Sequence, residues 1–201
     1  MRFRFQKRRH LILDIGTGDI LAERGDVLIT GRISARSPLS SVIKASRREE
    51  MEKLFLKPTL HFRCEEGVWR HVFSIHWTAR DRYAPDTPSY QAPVLAMQQI
   101  AHYLSTTGLL AGDIRVGMTP FSWRTPQLTA QIMRDCLWHL FLCARDHPRG
   151  NTSMHVSVKS LTEFPELTDL LVRDLPVKHG PLGFPLTPWV PDDSEVEPAR
   201  V

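Results

Sequence analysis

Long apolar runs are missing from this chain. No stretch of about 18 uninterrupted apolar residues occurs, so a membrane-spanning helix is excluded. A secretory leader is not expected either. The basic start, Met1 to His10, runs into a short apolar stretch broken by Asp14 and Asp19, with no small-residue cleavage site behind it. Cysteine is scarce at three residues, and Cys64, Cys136 and Cys143 lack the spacing of a disulfide framework. Reduced thiols in a cytosol are therefore expected. No internal repeat, low-complexity tract or paired-carboxylate signature is visible. No serine or cysteine is set beside a histidine by a recognisable motif.

What is present is ordinary globular composition, 42% hydrophobic and 24% charged, over 201 residues. That length suits one domain with a real core. Residues 1–190 are expected to form that domain, and residues 191–201 an acidic, disordered tail. Proline is enriched at 15 residues, many in the last third. The net charge of +4 is uneven. Residues 1–53 hold 12 Lys/Arg against 7 Asp/Glu, whereas the rest of the chain nets −1. A basic arm of this kind either steers an anionic partner or keeps the chain soluble.

Phe3 and Phe5 alternate with Arg2, Arg4 and Gln6, and residues 11–15 and 27–33 are strand-like with glycine-rich breaks between them. The first 34 residues therefore read as a small antiparallel sheet. A helix is expected over about 39–56, ended by Pro58. Residues 60–64 and 69–77 read as a hairpin, with Trp69, His71, Phe73, Ile75 and Trp77 on one face. Ser89 is the expected N-cap of a helix over about 90–105, with Pro93 in its first turn. A strand over 114–118, a long helix over about 126–145, a strand over 154–158 and a short helix over 165–172 follow. The fold expected from this order is α+β: an antiparallel sheet of five or six strands, with two or three helices packed mainly on one face.

Four groups of residues carry chemistry. Asp14-Ile15-Gly16-Thr17-Gly18, after the apolar Leu11-Ile12-Leu13, resembles the first motif of methyltransferases that bind S-adenosylmethionine. The resemblance implies that Asp14, Gly16 and Gly18 would meet the cofactor, because glycine lets backbone approach where a side chain would collide. The third glycine of that family falls on Ile20 here. The next strand-like run also begins only about a dozen residues after Asp14, too soon for a helical crossover. A glycine loop joining two antiparallel strands is the alternative. The same letters are similar to the phosphate turn of sugar kinases, whose two lobes need a longer chain. Cys136 and His139, with Cys143 and His147, recur at helical spacing and are candidate metal ligands. All four would span about 16 Å, so ligands from elsewhere, such as His61, Cys64 or His71, would be needed. Buried thiols and half-exposed imidazoles are the other reading of that helix. Arg2, Arg4, Lys7, Arg8 and Arg9, interleaved with Phe3 and Phe5, are candidates for gripping a nucleic-acid backbone, or for guarding an edge strand. Trp69, Phe73 and Trp77 offer a docking face for a protein partner, or a packed core.

Residues 69–104 also resemble a group of small bacterial domains without an assigned activity. In these a Trp-containing strand (here Trp69 to Ile75) precedes a Ser-x-Gln-Ala helix start (here Ser89-Tyr90-Gln91-Ala92). Gly183-Phe184-Pro185 is similar to their last segment. The resemblance implies a strand-then-helix unit. The function expected from all of this is a non-catalytic cytoplasmic binding or regulatory protein acting through protein contacts, with no cofactor. Nucleic-acid binding and methyl transfer are its alternatives.

Overall fold

A computed structural model describes residues 2–5, 11–31, 59–64, 68–75, 88–121, 125–146, 153–177 and 186–188. In chain order these form β1 (Arg2–Phe5), β2 (Leu11–Thr17), β3 (Gly25–Thr30), β4 (Thr59–Arg63), β5 (Trp69–Ile75), α1 (Pro88–Thr106), β6 (Ile114–Met118), α2 (Pro126–Asp146), β7 (Met154–Ser160), α3 (Pro165–Val177) and β8 (Leu186–Pro188). Short 3-10 turns at Ile20–Ala22 and Leu109–Ala111 complete the elements. The helix expected over 39–56 and the acidic tail lie outside the described residues.

The strands make one sheet in the order β4-β5-β3-β6-β7-β2-β1-β8. Its five central strands, β5, β3, β6, β7 and β2, are mutually parallel. Antiparallel pairing is confined to β4 at one edge and to β1 and β8 at the other. The expected antiparallel α+β sheet is therefore corrected to a mixed, mostly parallel α/β sheet. The physical reason lies in burial. Val27, Leu28 and Ile29 on β3 are all fully buried, as a parallel strand covered on both faces requires.

One core cluster joins Leu13, Ile29, Phe73, Val116, Val156 and their neighbours to apolar positions of all three helices, such as Met97, Leu104, Leu137 and Leu171. The alternate side chains Leu28 and Val72 form a second cluster with Ile20, Cys64 and Trp69. Two aspartates tie the N-terminal ends of the strands together. Asp26 accepts from the Arg115 N–H at 3.0 Å, and Asp113 accepts from the Ser153 N–H at 3.0 Å. Helix α1 opens at Pro88, so Ser89 lies inside its first turn and Pro93 in its second.

The expected pairing of residues 11–15 with 27–33 does not form. Register places Leu13 level with Val156, Val156 with Val116, and Val116 with Val27. Strands β2 and β3 are thus parallel members of the sheet with β7 and β6 between them. Residues 18–24 carry the chain back down the sheet and across three strand spacings, about 14 Å. That connection is made by a short segment holding one 3-10 turn, Ile20–Ala22, with no α-helix in it. Ile20, only 2% exposed, anchors it in the second cluster.

Candidate functional site

The cleft of this molecule opens at the C-terminal ends of the parallel strands, and its rim is built from four turns. The first follows β2. Gly18 has φ of 144°, a conformation that strains any residue with a Cβ. Its N–H donates to the Ser160 carbonyl at 2.9 Å, which pins the turn to the end of β7. Asp19 then caps the 3-10 turn, accepting from the Leu21 N–H at 3.0 Å.

The second turn follows β6, where Thr119 donates its N–H to the Ile29 carbonyl at 3.1 Å and its hydroxyl to Thr30 at 2.9 Å. The third is the start of α2. The Thr125 hydroxyl accepts from the Leu128 N–H at 3.3 Å, and its carbonyl accepts from the Thr129 hydroxyl at 3.1 Å. The fourth is Ser160-Leu161-Thr162-Glu163-Phe164, which joins β7 to α3. Pro165 opens that helix and Glu166 lies in its first turn, where an anion complements the helix dipole.

Between these turns lies a cleft of about 1010 Å³. Gly18, Asp19, Thr119, Thr129, Lys159 and Glu166 are among its lining residues. Lys159 enters from the end of β7 and reaches Glu23 Oε1 at 3.5 Å. Leu161 stands 84% exposed on the rim. The positive ends of two helices, α2 and α3, face a glycine turn across this space, an arrangement suited to a polar ligand carrying an anionic group.

Of the candidate site residues read from the sequence that fall among the described residues, Gly18 alone lines the cleft. Gly16 lies just inside β2, where a Cβ would be 3.5 Å from Lys159 Nζ, an ordinary contact. Asp14 sits deeper in the strand and accepts from or pairs with His155 Nε2 at 2.5 Å. Cys136 is fully buried, and burial, with Asp135 adding to it, pushes its thiol well above the ordinary range. His139, one turn on, bonds the Gln98 side chain at 3.2 Å. Burial lowers its pKa, against an opposing pull from Asp135. Cys143 donates to the Ala101 carbonyl and contacts the Ser105 hydroxyl, both at 2.9 Å. His61 and His71 are hydrogen-bonded to each other at 3.0 Å with stacked rings. Among the described residues no group of three metal-ligating side chains gathers.

Trp69 and Phe73 are core residues, 2% and 0% exposed. Arg2 and Arg4 lie on β1, between β2 and β8. Lys7, Arg8, Arg9, Trp77 and His147 lie outside the described residues. Sequence reasoning missed Thr119, Thr129, Lys159 and the 160–164 turn. The signal for the last was a mostly polar stretch, Ser160-Leu161-Thr162-Glu163, between a strand and a Pro-initiated helix.

No family model matches the chain, and no curated protein does. Solved structures do. The Oceanobacillus iheyensis macrodomain with MES bound superposes with a TM-score of 0.58 at 11% identity, covering 85% of this chain and 97% of that one. The macro domain of ganglioside induced differentiation associated protein 2 gives 0.53 at 12% identity, over 79% and 82%. A tomato leucine aminopeptidase gives 0.51 at 12%, over 84% of this chain and 36% of that one. The chain is similar to macrodomains in fold. The expected protein-docking module is corrected accordingly, together with its nucleic-acid and methyltransferase alternatives. Its aromatic residues Trp69 and Phe73 are interior, and the fold is similar to that of macrodomains.

Proposed function

We propose that this protein binds a nucleotide of the ADP-ribose class in the cleft at the C-terminal ends of β2, β6 and β7. The observation that carries the reading is the convergence of the Gly18 turn with the starts of α2 and α3 on one cleft of about 1010 Å³. In open α/β sheets, ligands enter at this end of the strands, where loops and helix starts present backbone dipoles. The volume suits a dinucleotide-sized molecule. Macrodomains, to which the fold is similar, bind ADP-ribose. Fold alone does not assign chemistry, so the weight rests on the cleft.

Thermal unfolding with added ADP-ribose tests the reading. A ligand at about 100 times its dissociation constant stabilises the folded state by about 2.7 kcal/mol, a shift of several degrees. S-adenosylmethionine is the control and should leave the midpoint unchanged. An unmoved midpoint with millimolar ADP-ribose removes the proposal.

A further inference from the structure

The cleft that receives this ligand has an unfavourable charge balance. Asp19, Glu163 and Glu166 line it, and Lys159 is the sole cationic side chain among its described lining residues. Three carboxylates repel a diphosphate, and the fields of two helix starts are modest beside full charges. Binding an anionic nucleotide here therefore depends on where Lys159 points.

Lys159 is well placed to turn. It is the sixth residue of β7, and its stem runs beside the β2 glycines. Its Cδ lies 4.0 Å and 3.9 Å from where Cβ atoms of Gly16 and Gly18 would be. Its side chain is 23% exposed. The ammonium is held by Glu23 Oε1, at 3.5 Å, on a carboxylate 41% exposed. A partly exposed pair at this separation is weaker than a close charge-assisted bond and can exchange for one. Glu23 follows the 3-10 turn that Asp19 caps, so the segment that shapes the rim also carries the counter-charge.

We propose that Lys159 is the residue that selects the phosphate-bearing part of the ligand, and that Glu23 holds it in reserve until the ligand arrives. This rests on the ADP-ribose reading of the cleft. In the free protein the Lys159–Glu23 pair neutralises one carboxylate beside the cleft. In the complex the ammonium leaves Glu23 for a phosphate oxygen, and ligand affinity reflects the difference between those two pairings.

Calorimetric titration of the wild type, Lys159→Gln, Lys159→Arg and Glu23→Gln with ADP-ribose and with adenosine tests this. Lys159→Gln is expected to weaken ADP-ribose roughly tenfold and to reduce its salt dependence, with adenosine unchanged within about twofold. Lys159→Arg should retain most of the affinity. Glu23→Gln should tighten ADP-ribose by about two- to fivefold, because the competing carboxylate is gone. A melting curve for each variant establishes folding, and Lys159→Arg and Glu23→Gln decide the matter if Lys159→Gln does not fold. Undiminished ADP-ribose affinity in Lys159→Gln, or an equal loss for both ligands, overturns the role of Lys159. Wild-type protein that binds neither ligand overturns the cleft reading itself, and this one with it.

Discussion

The Trp69 indole occupies the space that a side chain on Gly117 would need. A Cβ at Gly117 would lie 2.4 Å from the ring, and one at Gly25 only 2.2 Å from it. Two glycines on neighbouring strands β3 and β6 thus form the floor on which the largest aromatic residue of the second cluster lies. Ile20, from the diagonal segment, closes against the same floor, 2.9 Å from the Gly117 Cβ position. The crossover that shapes the cleft rim is held down through this contact.

Gly117→Ala is therefore expected to destabilise the fold by about 1–3 kcal/mol, because the methyl group meets a ring and a buried Ile20 that cannot both yield. Urea unfolding measures this directly. Gly112→Ala is the control, since a Cβ there meets nothing within 4 Å. Equal stabilities for the two variants would show that the indole has room to move.

Gly18→Ala tests the rim without touching the core. Its φ of 144° is strained for any L side chain, yet the nearest atom to a Cβ is Lys159 Cδ at 3.9 Å. A cost of about 1–3 kcal/mol is expected, met by reshaping the turn, with loss of the Gly18–Ser160 bond. ADP-ribose affinity should fall more than global stability does. Retained affinity in a stably folded Gly18→Ala protein would dissociate this turn from ligand binding.

The His61–His71 pair sets an acid limit. Burial, then the neighbouring His71, then Arg63 lower the His61 pKa from the ordinary 6.5 to about 3. Between those values the unfolded chain binds a proton at this position and the folded chain does not. Stability is therefore unaffected by this group above pH 6.5, and falls as the pH drops from there toward 3. The slope contributed is at most about 1.4 kcal/mol per pH unit. The His61 ring also stacks on Phe73, with centroids 4.3 Å apart. Denaturant titrations at pH 7.5, 6 and 5 should show a steeper loss in the wild type than in His61→Gln. Parallel losses would place the acid sensitivity elsewhere.

Much of the element inventory was legible in the sequence. The alternation at 2–5, a glycine-rich turn after β2 (though Gly16 and Thr17 still pair in that strand), the 3.6-residue periodicity of the long helix and the β4–β5 hairpin all reflect local preference and amphipathicity. Strand direction was not legible. Val27-Leu28-Ile29 is a continuous apolar run, which marks a strand covered on both faces, but the short distance from Asp14 to Val27 argued more loudly for a hairpin. The premise that parallel strands need a long helical crossover fails where a short segment with a single 3-10 turn can lie against the sheet, and Gly117 beneath Ile20 makes room for it. Cys136 and His139 are parted for a similar reason. Helical spacing put them on one element, whereas packing sent the thiol into the core and the imidazole to Gln98 of α1.

The sequence by itself determined where most strands and helices form, that a glycine-rich turn follows β2, and that the chain builds an apolar core, because these depend on near neighbours along the chain. Only the tertiary structure decided that β2 lies beside β7 rather than β3. It also decided that Trp69 and Phe73 face inward, and that Gly18, Thr119, Lys159 and Glu166 meet around one cleft. Those relationships join residues up to about 150 positions apart, and they follow from how the sheet hides apolar surface on both faces at once.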